Sequence, residues 1–132
     1  MQQLHFTLTG RPISKKNSKR IFSSGSGRPR VLPSVAYEKY KQSCLEQIMI
    51  LRSKGVIPRE TITGLVQVGT YIAVKGKYNV DADNIHTSIL DILQDARVIE
   101  NDDLVNFGMY SKTGMCEEWS VDVVINYYEG KS

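Results

Sequence analysis

Between residues 65 and 74 the chain alternates strictly, with Val66, Val68, Thr70, Ile72 and Val74 on one side and Leu65, Gln67, Gly69, Tyr71 and Ala73 on the other. A period of two is the signature of a strand, and apolar character on both sides marks a strand internal to a sheet. The rest of the chain must therefore supply neighbours for it. Leu4, Phe6 and Leu8 alternate with Gln3, His5 and Thr7 until Gly10-Arg11-Pro12 stops the pattern. Val105, Phe107 and Met109 predict a further strand that ends in a turn near Lys112-Thr113-Gly114, and Trp119, Val121, Val123, Ile125 and Tyr127 form the clearest strand of all. Two stretches carry the helical period instead. The first is entered at Pro33-Ser34, shows Tyr37, Tyr40, Cys44, Ile48 and Leu51 with Leu45 beside them, and closes at Gly55. The second, 84–97, places Ile85, Ile89, Ile92, Leu93 and Ala96 on a packing face, with Asp83 as its N-cap. The order β-loop-α-β-α-β-β predicts an α+β fold, one mixed β-sheet with two main helices packed on it.

A chain of 132 residues without internal repeats fits a single domain, 1–132. Residues 13–33 hold Ser, Gly and Pro among basic side chains, and no period crosses Ser23-Ser24-Gly25-Ser26-Gly27, so this segment reads as a basic flexible loop. The apolar runs are too short to span a bilayer and Met1-Gln2-Gln3 lacks the basic start of a signal peptide, so a cytoplasmic protein with no membrane partner is expected. Cys44 and Cys116 stand apart, with no spacing for a zinc site, and read as free thiols.

Charge is distributed unevenly. Residues 1–37 contain seven basic side chains (Arg11, Lys15, Lys16, Lys19, Arg20, Arg28 and Arg30) and no acid, so the remainder is net acidic although the whole chain is +3. Such asymmetry predicts one surface for a polyanion, with these basic side chains meeting its phosphates. The acids concentrate between Val80 and Val105: Asp81, Asp83, Asp91, Asp95, Glu100, Asp102 and Asp103. Carboxylates held together repel unless a cation or proton neutralises them, and hard cations such as Mg²⁺ take oxygen ligands. In an extended segment Asp81 and Asp83 leave the same face, and a strand end holds such groups open to solvent. Asp102, past the second helix, is expected to return to that end and complete a three-carboxylate site for one or two Mg²⁺ ions. Asp95, Glu100 and Asp103 read as solvated surface charge, and His5 and His86 as surface residues, with a place near the metal left open for His86. An EF-hand starting at Asp81 fails, because Ile85, His86 and Ile92 would occupy its key positions. Neither G-x-G-x-x-G nor G-x-x-x-x-G-K-[ST] occurs, so no nucleotide cofactor is expected.

The ordered pattern Asp81-Ala82-Asp83-Asn84, Leu90-Asp91-Ile92-Leu93 and Val98-Ile99-Glu100-Asn101-Asp102-Asp103-Leu104-Val105 resembles the RusA-type Holliday junction resolvases, endodeoxyribonucleases of bacteria and their prophages. Gly10-Arg11-Pro12-Ile13-Ser14-Lys15-Lys16-Asn17-Ser18 is similar to their N-terminal segment. The resemblance implies a homodimer with two active sites, cutting four-way DNA junctions symmetrically in recombination and repair. It implies Mg²⁺, with Mn²⁺ able to substitute. It assigns Asp81, Asp83 and Asp102 as catalytic metal ligands, with Asn84 and Asp91 in support. Where the family commonly has a lysine, four residues after the second Asp of D-x-D, this chain has Thr87. Lys75 and Lys77, just upstream, are candidates to replace it. The alternative is a junction-binding protein with weak or no catalysis.

Overall fold

Strand β4 (Val66–Lys75) lies inside a four-stranded mixed sheet of order β1-β6-β4-β5, flanked on both sides as its two-sided apolar pattern requires. β1 (Gln2–Thr9) pairs antiparallel with β6 (Ser120–Tyr127), β6 pairs antiparallel with β4, and β4 pairs parallel with β5 (Val105–Cys116). The computed structural model describes residues 1–15, 19–23 and 29–128, and of 19–23 and 29–33 the backbone alone. No helix among the described residues is long and apolar enough to cross a membrane.

Helix α1 (Val35–Ser53) starts where Ser34 accepts the Tyr37 amide at its side-chain oxygen. Helix α2 (Ala82–Asp95) carries β4 over to the parallel β5. Both helices cover one face of the sheet. Leu4, Phe6, Leu8, Val66, Val68, Ile72, Val121, Val123 and Ile125 of that face pack with Tyr40, Cys44 and Ile48 of α1 and Ile85, Ile89, Ile92 and Leu93 of α2. No helix among the described residues covers the other face, and Tyr71, Phe107 and Met109 stay exposed there. At the C-terminus of α2, Arg52 donates to the carbonyls of Ala96 and Arg97, both at 2.6 Å, a cation placed where the helix dipole is negative.

Three expectations are corrected. Residues 19–23 and 29–33 are not loop but a two-stranded antiparallel hairpin, β2 (Lys19–Ser23) with β3 (Pro29–Pro33). Strand propensity in Arg20-Ile21-Phe22 and Arg30-Val31-Leu32 is hidden by the Ser/Gly run between them, and residues 24–28 of that run lie outside the described residues. The chain does not turn at Lys112-Thr113-Gly114. β5 continues to Cys116 because the Gly76 and Met115 backbones bond (Met115 N to Gly76 O, 2.8 Å) and extend the parallel pairing. Helix α2 starts two residues earlier than its apolar period indicates, with Asp81 and not Asp83 as N-cap.

Candidate functional site

β4 leaves the sheet at Lys75 and turns at Gly76, whose φ of +64° suits a residue without Cβ. The chain then runs through Tyr78 and Asn79 to Asp81. The Asp81 carboxylate accepts the Asn84 amide at 3.2 Å and the Asn84 side-chain Nδ2 at 3.0 Å. Asn84 is buried, so it orients the aspartate from below. Asp83 occupies the first turn of α2, exposed, where the helix dipole favours negative charge. The two carboxylates are thus arranged by a helix start and not by an extended strand end.

They line one cleft with Asn79, Val80, Tyr110 and Lys112, of about 510 Å³. The β4–β5 register sets Gly108, Tyr110 and Lys112 on the side of Val68, Thr70 and Ile72, toward the helices. From there Lys112 Nζ donates to Asn79 Oδ1 at 2.6 Å and to the Val80 carbonyl at 2.8 Å. Lys112 is the cation of the cleft, and reading residues 112–114 as a turn had concealed it. Extending the period of two from Val105 to Cys116 would have revealed it. Lys75 lines a different hollow, with Arg11, Glu118 and Trp119, and Lys77 is exposed in the turn after β4. Thr87 donates its hydroxyl to the Asp83 carbonyl at 3.0 Å, so its one donor is engaged in the helix backbone.

His86 is buried, not superficial: its Nδ1 lies 2.8 Å from Thr70 Oγ1 and its ring rests near Tyr110 with centroids 5.4 Å apart. Burial lowers its pKa, with Asp83 opposing. Gly108 makes the room, since a Cβ there would stand 2.9 Å from His86 Nε2.

Asp102 does not return to this end. Helix α2 runs back along the sheet, and the Asp102 amide bonds to Gln94 at 2.9 Å, near the far end of the helix. At 1.5 Å per residue the stretch from Asp83 to Gln94 spans about 16 Å, beyond the reach of two aspartate side chains toward one ion. Among the described residues no group of three His, Cys, Asp or Glu side chains could hold a metal.

Asp91 serves a different purpose, accepting the Tyr37 hydroxyl at 3.1 Å and pairing with Lys15 at 3.5 Å. Burial, reinforced by Asp91, pushes the Tyr37 phenol above its ordinary value. The Lys15 amide bonds to Ser88 Oγ at 2.9 Å, so the basic segment is anchored to the same helix that carries Asp81 and Asp83. Asp95 is not merely solvated but paired with Lys41 of α1. Glu100 and Asp103 are exposed, as expected. Of the other predicted DNA contacts, Arg11 is described in full and Lys19, Arg20 and Arg30 lie in the β2–β3 hairpin, whereas Lys16 and Arg28 lie outside the described residues. No protein-family model matches the chain, and no curated protein does.

Proposed function

We propose that this chain is a Mg²⁺-dependent, structure-selective endodeoxyribonuclease that acts as a two-fold dimer on four-way DNA junctions. The observation that carries the reading is the cleft at the start of α2, where Asp81 and Asp83 open to solvent beside Lys112. Two carboxylates with a substrate phosphate are a common donor set for Mg²⁺, and Asp81 keeps lone pairs beyond those taken by Asn84. The bound ion would supply Lewis acidity and an activated water. Asp81, fixed by Asn84, and Asp83 would hold it, while Lys112 offers positive charge to a phosphate entering the cleft. The basic segment anchored at Lys15 would carry the flanking duplex.

The open β5 edge supports the dimer. It is a twelve-residue strand with exposed Phe107, Met109, Tyr110 and Met115, and such edges pair with further strands. A second copy added antiparallel along β5, centred near Phe107, would bring Asp102 of the partner subunit toward Lys112 and the Asp81–Asp83 cleft. Each site would then be built from two copies, which reconciles the three-carboxylate expectation with the separation within one chain.

Cleavage of a labelled junction, assayed with Mg²⁺ and with EDTA, tests the activity, and absence of EDTA-sensitive cutting overturns it. Mixing Asp81→Asn with Asp102→Asn tests the shared site. Two inactive variants that re-form dimers regain one intact site and nick the junction; continued inactivity places all ligands within one chain. Engagement of the Thr87 hydroxyl in the helix backbone favours the second reading, a junction-binding protein without efficient catalysis. Binding without cutting would select it.

A further inference from the structure

Arg11, Tyr78 and Trp119 form a triangle beside the acidic cleft. The Arg11 guanidinium carbon lies 5.2 Å from the Tyr78 ring centroid and 5.3 Å from that of Trp119, and the two rings are 6.3 Å apart, tilted by 39°. Three separate segments meet here: the end of β1, the turn after β4 and the approach to β6. Tyr78 is 64% exposed, so its ring is open to solvent beside its two partners. Arg11 makes no ion pair with any described carboxylate, so its charge remains available. Next to the triangle a hollow of about 580 Å³ is lined by Thr7, Thr9, Gly10, Arg11, Lys75, Glu118, Trp119 and Ser120. Two cations, Arg11 and Lys75, therefore stand at a hollow that Trp119 borders, against one carboxylate, Glu118.

We propose that this triangle is a stacking platform for an unpaired nucleobase, with Arg11 and Lys75 taking the adjoining phosphates. The inference rests on the reading of the neighbouring cleft as a site that acts on DNA. Aromatic faces accept any base, and a positively charged groove follows the backbone; together they select single-stranded over paired DNA, whose bases are already stacked. An arginine needed only to fasten the loops would satisfy its donors on carbonyls or carboxylates, as Arg52 does. Tyr78 lies one residue before Asn79 of the acidic cleft, so a base drawn from the branch point onto the platform would leave its phosphate near Asp81 and Asp83. Selectivity for branched DNA would follow, because only unpaired or distorted DNA has a base to offer.

Trp119 is the sole tryptophan, so its emission reports on the platform directly. The full chain, in EDTA to prevent cutting, is titrated with oligothymidylate, a four-way junction and plain duplex, with fluorescence anisotropy of the labelled DNA reporting occupancy. Quenching of Trp119 at saturation by oligothymidylate and junction, and much less by duplex, is expected. Tyr78→Ala should weaken oligothymidylate binding roughly 5- to 100-fold, while Tyr78→Phe, which keeps the ring, should bind as the parent does. If DNA binds and the junction is cut in Mg²⁺ while Trp119 emission is unmoved, the platform is overturned and the nuclease reading stands. Quenching by oligothymidylate with no cutting in Mg²⁺ upholds the platform and removes the nuclease. Absence of binding to all three DNAs overturns both.

Discussion

Lys112 donates its Nζ to the carbonyl oxygen of Val80 at 2.8 Å, tying the edge strand β5 to the residue before the α2 cap. The contact brings a positive charge to the cleft where the α2 first turn lacks one. Lys112→Ala is expected to lower Mg²⁺-dependent cleavage by ~10²–10³ with little change in junction affinity, the loss typical of one charge-stabilising group. Thr87→Lys in that variant should recover part of the rate, whereas Lys75→Ala, on another hollow, should leave the chemical step intact. Single-turnover rates at saturating protein measure all three.

Asp81 both caps α2 and faces the cleft, and its two duties separate by substitution. Asparagine caps as well as aspartate, so Asp81→Asn should unfold in urea within about 0.5 kcal/mol of the parent, whereas Asp81→Ala should cost ~1 kcal/mol. Neither should cleave. Asp83→Asn, which caps nothing but removes a negative charge from the first turn of α2, should cost about 0.3–1 kcal/mol and be inactive.

His86 titrates below its ordinary 6.5 because burial penalises the imidazolium. A group whose folded pKa is depressed binds its proton more readily when unfolded, so its contribution is present above 6.5 and lost as pH falls toward the folded value. Urea midpoints measured between about pH 5 and 7 should fall with pH in the parent, and the fall should shrink in His86→Gln. An identical pH slope in both would show that His86 does not contribute it.

Burial pushes the Cys44 thiol up to about 11, with Tyr40 opposing, whereas Cys116 sits at the end of β5. A thiol-specific chromogenic reagent should titrate Cys116 in the folded protein and reach Cys44 only after denaturation. Here the raised value means that the stability contribution is held below 9 and lost as pH climbs toward 11.

Much of the framework was legible because it is periodic. Leu4-Phe6-Leu8, the 66–74 alternation and Val121-Val123-Ile125 each identify a strand, and Tyr37-Tyr40-Cys44-Ile48 a helix face. What escaped depends on contacts between distant parts of the chain. Asp-Ala-Asp-Asn offers two caps, and the choice of Asp81 follows from Asn84 turning its side chain back to it. The polar Lys112-Thr113-Gly114 has the composition of a turn, and only pairing with residues some forty positions earlier keeps it extended. Asp102 was misplaced for a topological reason: a helix that connects parallel strands carries the chain back to the opposite end of the sheet, so residues after it begin where β5 begins. Tyr78, Trp119 and Arg11 lie far apart in sequence and their meeting left no local signal.

Strand order has a consequence for synthesis. β6, the last of the described strands, lies between β1 and β4, which do not touch each other in the sheet. While the chain emerges from the ribosome, β1 has no partner and β4 can pair only with β5, so two raw edges persist until residues 120–127 arrive to join them. The sheet closes from its middle, by residues 120–127, and until then the nascent chain presents Leu4, Phe6 and Leu8 to whatever else in the cell binds extended apolar peptide.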